Sequence, residues 1–123
     1  MKYVDGFVLV VPKKSFGKYK EMASNAGKIW KKFGALEYFE CMGDDLNPGM
    51  EGMKSLGFSK LTKLKKNENI WFSFIIYKSK SHRNSVNKKV MDYYKKKYPN
   101  MPMDMPFDMK RFSYGGFKAV VER

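Results

Sequence analysis

Apolar and polar positions alternate along much of the chain, and the most apolar block sets the frame for the rest. Ile70, Trp71, Phe72, Phe74, Ile75, Ile76 and Tyr77 leave only Ser73 polar, and such a short aromatic and β-branched run predicts a strand covered on both faces. Ile70, Phe72, Phe74 and Ile76 make a wholly apolar face; Trp71, Ser73, Ile75 and Tyr77 make a mixed one with two hydroxyls. The first face suits helices and the second a cavity or a partner.

Residues 3–11 alternate in the same way, with Val4, Gly6, Val8 and Val10 opposite Tyr3, Asp5, Phe7, Leu9 and Val11, and Pro12 closes this first strand. The period then lengthens: Phe16, Tyr19, Met22, Ala23, Ala26, Ile29, Trp30 and Phe33 recur at helical spacing, with Lys18, Lys20, Lys28, Lys31 and Lys32 on the other side and Gly34 as the stop. Gly17 and Gly27 cost this helix about 1 kcal/mol each relative to alanine, which predicts close packing at both. Residues 35–42 alternate as a second strand, Leu36, Tyr38, Glu40 and Met42 opposite Glu37, Phe39 and Cys41. Residues 43–52 are dense in turn formers, and Phe58, Leu61 and Leu64 fit a helical turn or a short strand equally well.

After Tyr77, Ser79 and Ser81 offer N-caps to a second long helix. His82, Val86, Val90 and Tyr93 line one side of it, with Arg83, Asn87, Met91 and Tyr94 beside them. Lys95, Lys96 and Lys97 complement its dipole and Pro99 ends it. Residues 100–110, with Pro102 and Pro106 among methionines, predict an extended packed loop. Residues 111–121 predict the last strand, where Gly115 and Gly116 mark a bulge or a close approach of backbones.

The order β-α-β-β-α-β defines the expected class: α+β, a ferredoxin-like split βαβ in one domain, residues 1–123, with an antiparallel four-stranded sheet and two helices on one face. Two helices cover one face of a sheet. The other is expected to carry Phe7, Leu9, Trp71, Ile75 and Tyr114, an apolar area beyond what a monomer exposes, so a second copy is expected to cover it and form a homodimer.

Composition adds limits. A chain of 123 residues buries roughly two-thirds of its unfolded surface, enough for one core. The net charge of +13 would suit an acidic partner, yet the arginines are only Arg83, Arg111 and Arg123, and lysine supplies the remaining 22 of 25 basic residues. Phosphate and base recognition favours the guanidinium fork, so lysine on exposed helix faces reads first as solubility and nucleic acid as the lesser expectation. Cys41 is the single cysteine, which excludes an intrachain disulfide and fits a reducing compartment. The apolar run at residues 7–11 is too short for a signal-peptide core or a membrane span, so a cytoplasmic protein without membrane contact is expected.

Candidate chemistry is sparse. His82 is the sole histidine, which removes triads and histidine-rich metal sites and leaves it a candidate base or a packing residue at a helix start. Arg83 and Asn87, one turn apart, could hold an oxyanion or could pair with acids on a neighbouring element. Asp44 and Asp45 read as solvated turn residues, and neither a metal nor a cofactor is expected. Asp5, Phe7, Ser73, Tyr77 and Tyr114 are expected to face the interior shared by the two sheets, either as a site for a small, partly apolar ligand or as an interface that satisfies its own hydroxyls. A different class is RNA binding: an RNA-recognition motif shares this strand order, and Phe72, Phe74 and Tyr77 match part of its aromatic strand. The basic residue and glycine expected before them are replaced by Ile70 and Trp71.

Five ordered segments also resemble the bacterial YbaA-like family of small uncharacterised proteins. They are ALEYFECMGDD at 35–45, FSFIIY at 72–77, HRNSVNKKVM at 82–91, MPFD at 105–108 and KRFSYGGF at 110–117, preceded by YVDGFV at 3–8. The resemblance implies a dimeric α/β barrel, an architecture shared with cofactor-independent monooxygenases, and implies no particular reaction.

Overall fold

A computed structural model describes residues 1–49, 54–100 and 105–123. Four strands, β1 (Tyr3–Pro12), β2 (Glu37–Met42), β3 (Glu68–Tyr77) and β4 (Ser113–Lys118), form one antiparallel sheet in the order β2-β3-β1-β4. Helices α1 (Phe16–Lys32) and α3 (Lys80–Lys97) are the long ones, and α2 (Phe58–Leu61) is a single turn, so helix rather than strand forms at that undecided segment. Gly34 sits at φ +117°, the left-handed stop expected after α1. The Ser79 hydroxyl accepts the His82 amide at 3.1 Å and caps α3. The last strand is shorter than expected, because Met109–Arg111 form a 3-10 turn ahead of it. Of the loop expected at 100–110, residues 101–104 lie outside the described residues, as do residues 50–53.

Both long helices lie on the same side of the sheet, and they cover the face opposite to the expected one. Leu9, Val11 and Trp71 pack with Tyr19 and Ala23 of α1, while Ile75 and Tyr77 pack with Ala35 and with Val86 and Val90 of α3. The mixed stripe of β3 is therefore the buried one, with Ser73 at 4% exposure and Tyr77 at 0%, whereas Phe72 of the apolar stripe is 46% exposed. Polar atoms decide the side: a hydroxyl taken from water needs a fixed partner, and α3 and β2 of the same chain supply partners for Tyr77 and Ser73. The apolar stripe needs only the absence of water. Asp5, Phe7, Ser73 and Tyr77 accordingly face the helices and not an interior between two sheets, and Tyr114 shares their side at the β4 edge.

Across the open face, the paired positions run Glu37, Ile76, Val4 and Phe117 in one row, Phe39, Phe74, Gly6 and Gly115 in the next, then Cys41, Phe72, Val8 and Ser113. Phe39 stacks on Phe74 at 4.9 Å between ring centroids, and the Phe117 ring lies over Gly6 and Gly115. Close approach by glycine occurs at Gly43, where a Cβ would meet the Asn69 side-chain oxygen at 2.7 Å, and at two further places. A Cβ on Gly116 would meet the Tyr3 hydroxyl at 2.5 Å, and one on Gly27 would meet the Tyr38 ring at 2.9 Å. Gly17 has nothing within 4 Å, so the close packing expected there is absent.

Arg111 fastens the start of β4. Its guanidinium donates to Glu68 through two nitrogens at 2.8 and 2.6 Å, to Asp108 at 2.7 Å and to the Lys63 carbonyl at 3.1 Å. These bonds to Arg111 hold the Glu68 and Asp108 carboxyls below their ordinary pKa. A lowered folded-state pKa adds stability that is complete above the ordinary carboxyl range and is lost as pH falls through it. Arg111→Ala is expected to lower the urea midpoint at pH 7, and the gap from the parent chain is expected to close by about pH 3, both read by circular dichroism. Gly27→Ala should gain about 1 kcal/mol in helix propensity and lose about 1–3 kcal/mol to overpacking against Tyr38, a net loss measurable by the same unfolding titration.

Candidate functional site

Strand β2 places Tyr38 and Glu40 on the helix side, and Glu40 is paired across the ladder with Ser73. The Glu40 carboxylate accepts three hydroxyls. Tyr19 of α1 donates to Oε1 at 2.7 Å, Ser73 donates to the same oxygen, and Tyr38 donates to Oε2 at 2.6 Å. A carboxylate has about four acceptor positions, so one on Oε2 is left for a further donor. Burial first, and then the Glu40 charge, raise the Tyr19 and Tyr38 hydroxyls above their ordinary pKa, so both remain proton donors throughout the neutral range.

Beside this carboxylate a cleft of about 310 Å³ opens between α1 and the sheet. Its walls are Phe16, Ala23, Gly27, Tyr38 and Trp71, with Lys20 and Ser24 on the helix and Glu40 as the acidic group. Trp71 is held in place by Tyr19, whose ring meets it edge-on at 4.7 Å. The absence of a side chain at residue 27 lets Tyr38 lie under α1 and bring its hydroxyl to Glu40. The arrangement can bind a flat or apolar body and offer it one anionic acceptor.

Most of the residues singled out from sequence gather elsewhere, where β1, β3 and α3 meet. Arg83 donates to Asp5 at 2.7 Å, with Asp5 nearly inaccessible, and its guanidinium lies 4.9 Å above the Tyr3 ring. Of the two readings of Arg83, the geometry is that of an ion pair with an acid on a neighbouring element. The Asn87 side-chain oxygen accepts both the Tyr77 hydroxyl and the Trp30 indole N–H, each at 3.1 Å. Burial first, then the charge of Asp5, raises the Tyr77 hydroxyl above its ordinary pKa. His82 accepts the Lys78 amide on Nδ1 at 2.9 Å and packs edge-on against Tyr77. These groups satisfy one another and close the core beneath α3.

Ser73 belongs instead to the Glu40 cluster. Phe7 and Tyr114 form a third group at the β4 edge, where their rings stack at 5.8 Å and Tyr114 is 71% exposed. Glu40, Tyr19 and Tyr38 were not among the residues expected to form a site. The one signal for them is that Glu40 is a carboxylate sharing an alternating stripe with Leu36, Tyr38 and Met42. Asp44 and Asp45 are exposed, and no cluster of three or more His, Cys, Asp or Glu able to hold a metal occurs among the described residues. Among those residues, too, no helix is long and apolar enough to cross a membrane.

The model of a protein family of unknown function, DUF1428, matches residues 2–109. The chain belongs to the DUF1428 family. It is 41% identical over 122 residues to the uncharacterized protein YbaA of Escherichia coli K12, covering 99% of both chains, and equally so to YbaA of Shigella flexneri. The YbaA-like resemblance seen in the ordered segments is thereby established over the full DUF1428 chain. Among solved structures, the de novo designed protein Foldit4 shares the fold at a TM-score of 0.51 and 9% identity, over 97% of this chain and 99% of that one. For the DUF1428 fold the Asn87 bridge is the clearest test of a shared acceptor. Asn87→Ala leaves two sheltered donors without a partner and is expected to cost about 2–3 kcal/mol in chemical unfolding, with little effect on the Glu40 cluster as read by the Trp71 environment.

Proposed function

We propose that this chain is a ferredoxin-like, cytoplasmic protein that pairs with a second copy through its open sheet face into a dimeric α/β barrel. Each copy then binds a small, partly apolar molecule in the cleft under α1. The observation that carries the binding reading is the Glu40 carboxylate, fixed by three hydroxyls at the wall of an aromatic-lined cleft. Pre-set acceptors of this kind position a ligand without reorganising on its arrival. The cofactor-independent oxygenation known for this architecture is not assigned to the cleft, and the reading is one of binding.

The pairing reading is supported by the open face itself. Phe39 and Phe72 are each 46% exposed and Phe117 is 62% exposed, and they adjoin Val4, Val8, Phe74 and Ile76. No lysine or arginine stands in the three paired rows of that face, although 25 of the 123 residues are basic. An RNA-binding sheet would offer the same aromatics, but single-stranded nucleic acid is held by stacking together with a cationic groove. An apolar face without lysine or arginine, whose one charged position in those rows is Glu37, fits a copy of itself better. A second copy also avoids bringing one basic surface directly against another, because the lysines of α1 and α3 lie on the far side.

Light scattering on the eluting protein at micromolar concentration is expected to give twice the chain mass of 14.4 kDa. Phe72→Glu, which puts a charge at the centre of the face, is expected to give folded single chains. A monomeric parent chain whose affinity for a labelled oligoribonucleotide falls steeply with salt would replace this reading with the RNA one.

A further inference from the structure

We infer that the cleft under α1 selects an organic cation, a protonated amine on an aromatic or apolar body, over neutral and anionic molecules of the same shape. The inference rests on the binding reading above and adds the charge of the ligand to it.

Among the described residues, Asp5, Glu68 and Asp108 are sheltered from solvent, and each is bonded to an arginine. Apart from Glu40, the remaining acids among the described residues are exposed. Among the described residues Glu40 alone is both withdrawn from solvent and without an ion pair, in a chain whose net charge is +13. Its three partners are neutral hydroxyls. Hydroxyls satisfy the lone pairs and fix the carboxylate, yet leave its charge uncompensated at the cleft wall, where lowered solvent screening strengthens any attraction to a cation.

The walls are suited to the same ligand class. Tyr38 and Trp71 present rings beside Glu40, and ring faces attract ammonium groups through their quadrupoles. The one basic residue lining the cleft is Lys20, which is exposed and holds its ammonium 5.8 Å from the centre of the Phe16 ring. Its exposure leaves it screened by water and salt, whereas Glu40 is partly withdrawn from solvent.

Three probes of matched shape separate the possibilities: 2-phenylethylamine, 2-phenylethanol and 3-phenylpropanoate, titrated into the full-length protein and followed by amide and indole NMR shifts. The amine is expected to bind about tenfold tighter than the alcohol and the propanoate weakest, with shifts at Ser24, Gly27 and the Trp71 indole. Glu40→Gln is expected to remove the preference for the amine. Lys20→Ala, at an exposed site that folding does not require, is expected to strengthen amine binding by about threefold at low salt, and this keeps the test decisive if the Glu40 variant does not fold. Equal affinity for amine and alcohol, a preference for the propanoate, or weaker amine binding after Lys20→Ala would overturn the cation assignment while leaving a ligand cleft in place. No cleft shifts with any of the three at millimolar concentration would remove the cleft as well.

Discussion

A polar atom buried in a sheet must be given a partner by whatever covers it, and that requirement determines which way this sheet faces. On β3 the stripe Trp71, Ser73, Ile75, Tyr77 looks less suited to a core than Ile70, Phe72, Phe74, Ile76. The helix layer nevertheless takes the first stripe, because its hydroxyls find acceptors on elements of the same chain: Ser73 on Glu40 of β2, and Tyr77 on Asn87 of α3. A buried donor left without an acceptor costs about 1–3 kcal/mol, and covering this stripe with anything that lacks those two residues would incur that cost twice. The apolar stripe has no such demand. It can be left to any second body that excludes water, which is why the greasier half of the strand is the half left exposed.

From that choice the two polar clusters follow. Both lie on the helix side, one on each side of the line where α1 and α3 meet. The α3 cluster is closed on itself: Arg83 with Asp5, and Asn87 with Tyr77 and Trp30, leave no group pointed at an opening. The α1 cluster is closed around Glu40 on three sides and open on the fourth, where Gly27 keeps the helix backbone clear of Tyr38. Stability and availability are thus divided between the two, and a hub of neutral hydroxyls keeps its central charge in a way that an arginine would not.

The periodic parts of the chain announced themselves. Strand β1, helix α1, strand β3 and helix α3 were legible from the switch between spacings of two and of three to four, and Gly34 and Ser79 marked the helix ends where they are found. What alternation could not settle is sign: it separates two faces of a strand without saying which one a helix will take, and hydrophobicity alone points to the wrong one here. Arg83 with Asp5, and Tyr77 with Asn87, pair residues separated by 78 and 10 positions, so only the first needed the fold to bring it together. Glu40 was visible as a carboxylate on a two-residue period with Leu36 and Tyr38, but its three donors come from α1, β2 and β3, and no local pattern joins Tyr19 to Ser73. Arg111 was equally hidden, since beyond its near neighbour Asp108 its partner Glu68 gains meaning only when the start of β3 and the turn before β4 are side by side.

Charge placement ties these features to assembly. In a chain this basic, lysines scattered at random would fall on the broad apolar sheet face as readily as on the helices, and a single ammonium there would have to be desolvated whenever a partner docked. The face carries none in its three paired rows, while the outward sides of α1 and α3 carry them in every turn or two. Two copies joined through that face, as proposed, would put their like-charged helices as far apart as the fold permits, and the electrostatic repulsion that +13 on each chain brings to association would act across the full thickness of two sheets. In the proposed pair the same separation would keep the mouth of each α1 cleft on the outside, so closing the sheet face would not close the cleft.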